Sequence, residues 1–378
     1  MHSENYPHRG GSNMRYYTQR LAEYHKRQVA EIPDDVLIPE KYFMGLGRDD
    51  FIAALKAYRE ILLHIYDSIC EDPSGFGLVC EEFDSNMHGS VTKAEGRSLK
   101  SFDRVVRLLS ALSNSKVSGE DGSIILSAAD AKPISRIAQI VDSLRQIGFE
   151  IFREGDAYVF SFPNNRKLTA AIKAFGIANG CTPQQQVTAL IHADTRYFTA
   201  DGEIEYTPED VIRLMTDEND QAMLRALVEF FRDIGYVVKT EYQYNPARVR
   251  ISRTKSAKES VIAIVRRDAK LEIHARLENI GRYADKIGAL SAGIRERTLS
   301  GRNCCHCGYC SGGVQFEYEN KKYTKCRIIC CGFAYMDFMQ DDINSLMSLV
   351  KAECLSMQTN RHVSHRMTCD FHRNTKKA

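Results

Sequence analysis

The chain has 378 residues, 51 Lys and Arg against 49 Asp and Glu, a net charge of +2 and 43% hydrophobic residues. Single cores stop growing near roughly 250–300 residues, so two or three domains are expected, with the composition of a soluble globular protein. No apolar run reaches the ~18 residues of a membrane span. Met1-His2-Ser3-Glu4-Asn5-Tyr6 also lacks the charged-then-apolar pattern of a secretory signal, so the expected location is the cytoplasm, where thiols stay reduced.

The first segments read as helices. Asn13 can cap one running through Ile32, with Tyr16, Tyr17, Leu21, Tyr24 and Val29 near helical spacing and Pro33-Asp34-Asp35 ending it. Asp49 or Asp50 can cap the next, whose stripe is Phe51, Ile52, Leu55, Tyr58, Ile61, Leu62 and Ile65. A loop follows to Gly96, then a third helix over about 99–112. These stripes are core, not a cofactor box. Lone Cys70, Cys80 and Cys181 read as thiols without a special role.

The middle of the chain contains an internal match at an offset of 87 residues. Ile137 to Phe149 corresponds to Leu224 to Tyr236, and Arg145-x-Ile147-Gly148-Phe149 matches Arg232-x-Ile234-Gly235-Tyr236. Each copy predicts an amphipathic helix ended by a left-handed Gly, then an aromatic residue opening a β-hairpin. In the first copy the strands are 149–152 and 158–162, and a helix over 167–175 follows. In the second, strands at 236–242 and 248–252 are joined by alternating runs at 261–265 and 271–275, which predicts a four-stranded antiparallel sheet. Thr182-Pro183 and Thr207-Pro208-Glu209-Asp210 are helix starts with Pro at the first position. A helix over 279–299 leads into the cysteines. A helix followed by a hairpin is also the layout of a winged helix. The face that would read nucleic acid, Arg136, Gln139, Asp142, Ser143 and Gln146, is polar without being basic, and reads as solvated.

Seven of the chain's 12 cysteines lie between Cys304 and Cys331. Cys307-Gly308-Tyr309-Cys310 has zinc-knuckle spacing, and Cys326-x3-Cys330 closes a second pair across a short hairpin, Val314–Tyr318 with Tyr323–Lys325. Cys307, Cys310, Cys326 and Cys330 are the preferred ligands of one structural Zn2+. Cys304, Cys305 and Cys331 are alternates, and His306 is cramped. A hairpin this short needs a staple. An iron–sulfur cluster is the weaker alternative, because ferredoxin spacings are absent, and a dithiol redox pair is another. Asp341-Asp342 can cap a last helix. His362, His365, Cys369 and His372 can form a second metal set, although the segment reads better as a disordered basic tail.

The segment from about Asn279 to Val350 resembles a Cys-rich, zinc-knuckle-like C-terminal module of an uncharacterised bacterial protein family. Cys307-Gly-x-Cys310, Tyr323-Thr-Lys-Cys326 and Cys330 carry the resemblance. The Arg-x-Ile-Gly-Phe helix end with Tyr158-x-Phe160-x-Phe162 also resembles such proteins. The resemblance covers about a third of the chain and implies no activity.

The expectation is an α+β protein with a helical N-terminal region (1–115), two helix–hairpin units (116–205 and 206–300), a zinc-stabilised module (301–356) and a disordered basic tail (357–378). No convergent acid/base trio is found. His192, Asp194 and His274 are the internal positions worth watching for catalysis. The leading function is a non-catalytic, zinc-containing binding or interaction protein with a protein or nucleic-acid partner and no membrane. Residues 245–378 hold 24 Lys and Arg against 13 Asp and Glu, an excess of +11, which leaves −9 for the first 244. That asymmetry supports the alternative, a nucleic-acid-binding regulator using the basic C-terminal third.

Overall fold

The computed structural model describes residues 15–83, 93–119, 121–162, 165–178, 183–199, 204–242, 246–305, 312–329 and 332–374, and side chains for all of these except 165, 183–185 and 358–374. The architecture is α+β, in two compact units, Met1–Glu205 and Tyr206–Ala378. Asn13, Thr182, Cys181 and the turn residues Tyr244 and Asn245 lie outside the described residues.

In the first unit, α1 (Tyr17–Gln28), α2 (Arg48–Glu71) and α3 (Lys93–Asn114) bury their expected stripes, among them Leu21, Phe51, Leu55, Leu62, Phe102 and Leu109. Their ends differ from the periodicity. Helix α1 stops four residues before Ile32, because Val29 turns extended and the Ala30 N–H donates to the His192 carbonyl at 2.8 Å. Helix α3 starts six residues earlier than its apolar stripe, on a polar turn the stripe does not register.

Strands β1 (Lys116–Val117) and β2 (Ile124–Leu126), short helix α4 (Ala128–Ala131), helix α5 (Ile137–Gln146) and the hairpin β3 (Glu150–Glu154) and β4 (Ala157–Ser161) follow. The sheet is antiparallel in the order β1-β2-β4-β3. Two- and three-residue strands are too short to show a period, so the sequence predicts only the hairpin. With β2 added, α3–β2–α4–α5–β3–β4 has the connectivity of a winged helix. Helices α6 (Asn165–Gly176), α7 (Pro183–His192) and α8 (Arg196–Thr199) complete the unit.

Helix α7 ends in the core, where unpaired carbonyls are costly. The hydroxyl of Tyr58 donates to Leu190 O at 3.0 Å and that of Tyr66 to Ile191 O at 2.7 Å. With Ala30 on His192 O, three consecutive end carbonyls are satisfied by tertiary partners. Phe198 packs against Tyr42 and Phe175, each at 4.9 Å between ring centres.

The second unit begins with α9 (Pro208–Ile212), capped reciprocally by Thr207 and Asp210, and α10 (Glu218–Asp233). Strands β5 (Val237–Glu241), β6 (Arg248–Ser252), β7 (Glu259–Val265) and β8 (Leu271–Ala275) form an antiparallel meander. The expected helix over 279–299 is instead two 3-10 segments, Ile280–Arg282 and Ala284–Ala289, and then α11 (Ala292–Ser300). Close packing breaks it: a Cβ on Gly281 would lie 2.9 Å from the Gln315 carbonyl, and Leu290 turns extended before Ser291. Hairpin β9 (Val314–Tyr318) and β10 (Lys321–Lys325) turns at Glu319-Asn320, both at positive φ.

Strand β11 (Phe333–Met336) then pairs with β8, Phe333 opposite Ala275. The sheet therefore has five strands, in the order β11-β8-β7-β6-β5. The chain directly after the cysteines is accordingly tied into the second unit's sheet through β11. The last helix, α12 (Gln340–Asn374), carries its backbone through most of the expected disordered tail.

Both helix–hairpin segments have the same helix end. Gly148 and Gly235 sit at φ 97° and 77°. Phe149 N–H donates to Leu144 O and Tyr236 N–H to Phe231 O, while the two Gly N–H groups donate to Arg145 O and Arg232 O. These are the paired bonds of a Schellman motif, which a left-handed Gly permits. Upstream, Ser127 caps α4 by accepting from the Asp130 N–H, and Thr207 with Asp210 caps α9 reciprocally.

Candidate metal centre

Three cysteines of the cluster are described. Cys326 is buried, Cys304 half-buried and Cys305 exposed. The preferred ligands Cys307, Cys310 and Cys330, the alternate Cys331 and His306 lie outside the described residues. Among the described residues no group of three or more His, Cys, Asp or Glu side chains converges on a metal position.

What is described is the frame that carries the cluster. Residues 302–304 run along the free edge of β10: Cys326 N–H donates to Arg302 O at 2.8 Å, Cys304 N–H to Thr324 O at 2.9 Å, and Asn303 bridges Lys325. Three glycines lie where the backbone comes too close for a side chain. A Cβ on Gly313 would meet the Cys304 Cβ at 2.7 Å, one on Gly332 would overlap the Cys326 carbonyl, and one on Gly301 would meet the Gly332 carbonyl. Gly313 is three residues past Cys310, and Gly332 directly follows Cys331.

Lys325 is buried in this frame. Its ammonium donates to Gly301 O at 2.6 Å and to Asn303 Oδ1 at 3.0 Å, fixing the edge segment, and burial lowers its pKa. Neither the spacing of the cysteines nor their number reveals this lysine.

The internal histidines have structural partners. His25 Nδ1 and His192 Nε2 are 3.1 Å apart in the core, with His25 stacked on Phe102. Asp194 turns away to a bidentate pair with Arg196. His274 Nε2 lies 3.0 Å from Glu272 Oε1, both side chains being largely enclosed. His192 and Asp194 are thus not brought together as an acid/base pair. His362, His365, Cys369 and His372 are on α12 beyond the described side chains.

In the winged-helix-like segment, Ser143 is buried rather than part of a solvated face. The leading end of α5, where a helix-turn-helix reads bases, is committed to the protein: Arg136 and Arg104 both donate to the Gly77 carbonyl, at 3.1 and 2.8 Å. The exposed wing carries Glu150, Glu154 and Asp156 against Arg153, which repels phosphate.

A second buried polar cluster has no sequence signal. Glu353 on α12 accepts from the Asn279 N–H and amide and from the Tyr283 hydroxyl at 2.6 Å; burial raises its pKa. Beside it is Cys354, whose pKa burial also raises and whose Sγ accepts from the Tyr236 hydroxyl at 3.7 Å.

No described helix is long and apolar enough to cross a membrane. No family model, curated protein or solved structure matches the chain.

Proposed function

We propose that the protein is a non-catalytic binding protein whose cysteine segment is stapled by one structural Zn2+ on Cys307, Cys310, Cys326 and Cys330. The observation that supports this is the glycine-packed frame at the Cys304–Cys326 end of the hairpin, next to which, along the sequence, the remaining cysteines of the cluster fall. Four thiolates fill a tetrahedral zinc site and leave no position for a reacting water. Zinc there supplies folding free energy and no reaction chemistry. The alternates Cys304, Cys305 and Cys331 are the thiols that an iron–sulfur cluster or a dithiol pair would draw on. Metal analysis of purified protein is expected to give about one zinc per chain, with chelation lowering the melting temperature. Iron in place of zinc, or melting unchanged by chelator, would overturn the staple.

A second reading, nucleic-acid binding, is favoured by cations in the second unit that no acid neutralises. Arg253, Lys255 and Lys258 are exposed on the β6–β7 turn, and none has an ion-pair partner among the described residues. Phosphate contacts impose a steep salt dependence. Affinity for random-sequence single and double strands is expected to fall several-fold between low and physiological salt; absence of binding at low salt would remove this reading.

A further inference from the structure

Between α11 and β10 lies an open cleft of about 490 Å3, outside the cysteine frame. Leu299 and the Tyr323 ring give it apolar walls, and Arg295, Lys321 and Glu296 line it as well. Lys321 and Tyr323 reach it together because alternate residues of β10 share a face. The ring is fixed from behind: Phe316, buried on β9, stacks on Tyr323 with ring centres 4.9 Å apart and planes 9° from parallel.

Several cations of the second unit are held by carboxylates. Arg248 and Arg250 hold Glu241, while Lys270 and Arg297 hold Asp337. Arg295 and Lys321 are different. Neither has an ion-pair partner among the described residues; Arg295 is positioned by donating to the Gly288 carbonyl at 3.3 Å, and Lys321 by its Nζ lying over the Tyr323 ring, 5.4 Å from the ring centre. Two unneutralised cations therefore stand beside an immobilised aromatic ring, in a space within the ~300–1,000 Å3 range of small-ligand sites.

We propose that this cleft binds a nucleoside phosphate, free or within a single strand, with the phosphate on Arg295 and Lys321 and the base against Tyr323. Arg and Lys suit phosphate as fork and point charge, and stacking on an aromatic ring tolerates any base. Glu296 adds an acceptor for a ribose hydroxyl or a base amino group. A duplex has no unstacked base to offer. The inference rests on the nucleic-acid reading and names its ligand and its place; it does not use the metal.

The test titrates the zinc-loaded full chain at low salt against a labelled single strand of about 12 nucleotides, with AMP and the corresponding duplex as competitors. The strand is expected to bind better than the duplex. Arg295→Gln with Lys321→Gln should weaken binding about tenfold and Tyr323→Leu about fivefold or more, while Tyr323→Phe stays near wild type. Zinc content should be unchanged in all of them, and melting in the Gln variants and Tyr323→Phe. Displacement by AMP identifies the free nucleotide as ligand; binding that AMP leaves intact but the variants weaken identifies the strand. If wild type binds the strand and the variants bind equally well, the cleft assignment fails and the nucleic-acid reading stands. If no probe binds wild type, both fail.

Discussion

Asp220 and Asp217 stand three residues apart at the start of α10 and have opposite fates. Asp217 caps the helix from solvent, accepting from the Asn219 and Asp220 N–H groups. Asp220 is 2% exposed and accepts from the Leu271 N–H at 2.8 Å, where β8 begins. Burial, with help from Asp217 and Asp337, raises its carboxyl pKa to about 7, against the lowering effect of Leu271 and Lys270. The unfolded chain releases this proton near pH 4, and the folded protein keeps it until about 7. The folded state therefore binds more protons between those values, and this group's contribution to stability is lost as pH rises through that window. Asp220→Asn should flatten the loss, by an amount of order 2–4 kcal/mol between pH 4 and 8, when urea midpoints of variant and wild type are compared. Nothing in Thr-Asp-Glu-Asn-Asp marks which aspartate is buried. The distinction is made by a strand about 50 residues later, beyond the reach of local pattern.

The elements themselves were largely legible, because period and capping are local. Strand 248–252 falls where the hairpin puts it and 271–275 where alternation puts it, although β8 is buried along its whole length and not half-buried, and the Thr207 start and the two Gly helix ends follow from chemistry within a few residues. What failed was tertiary: short strands β1 and β2, and the broken helix after β8, depend on partners that the local pattern does not contain. The end of α7 shows the same limit. Its carbonyls are satisfied by Tyr58, which reads in the sequence only as apolar stripe, and by Tyr66, which that stripe does not include. Tyr66→Phe keeps the ring and strands the Ile191 carbonyl, whereas Tyr58→Phe leaves Leu190 O the longer bond from the Ala193 N–H at 3.5 Å, so each should cost about 1–2 kcal/mol by chemical denaturation. The larger effect is expected at Tyr66, whose bond is the shorter.

On the scale of the molecule, two compact units and a cysteine segment tied into only one of them predict an uneven response to metal removal. Calorimetry of the full chain should show chelator moving the unfolding of Tyr206–Ala378 and leaving that of Met1–Glu205 in place. A single transition that moves as a whole would oppose this. The sequence located the cysteine segment by composition alone, but not its attachment, since a four-residue strand such as Phe333–Met336 carries no signal of its partner. That attachment bears on the order of folding. Strands β5 to β8 pair with chain neighbours, whereas β11 reaches β8 only after the 57 residues from Arg276 to Gly332 have been closed into a loop. Closure entropy grows only slowly with loop length but must be met before the ladder forms. The meander is thus free to assemble early, leaving one flank of β8 open until the loop closes. Until then β8 presents a bare hydrogen-bonding edge whose side chains are all destined for burial, the kind of edge through which chains join one another.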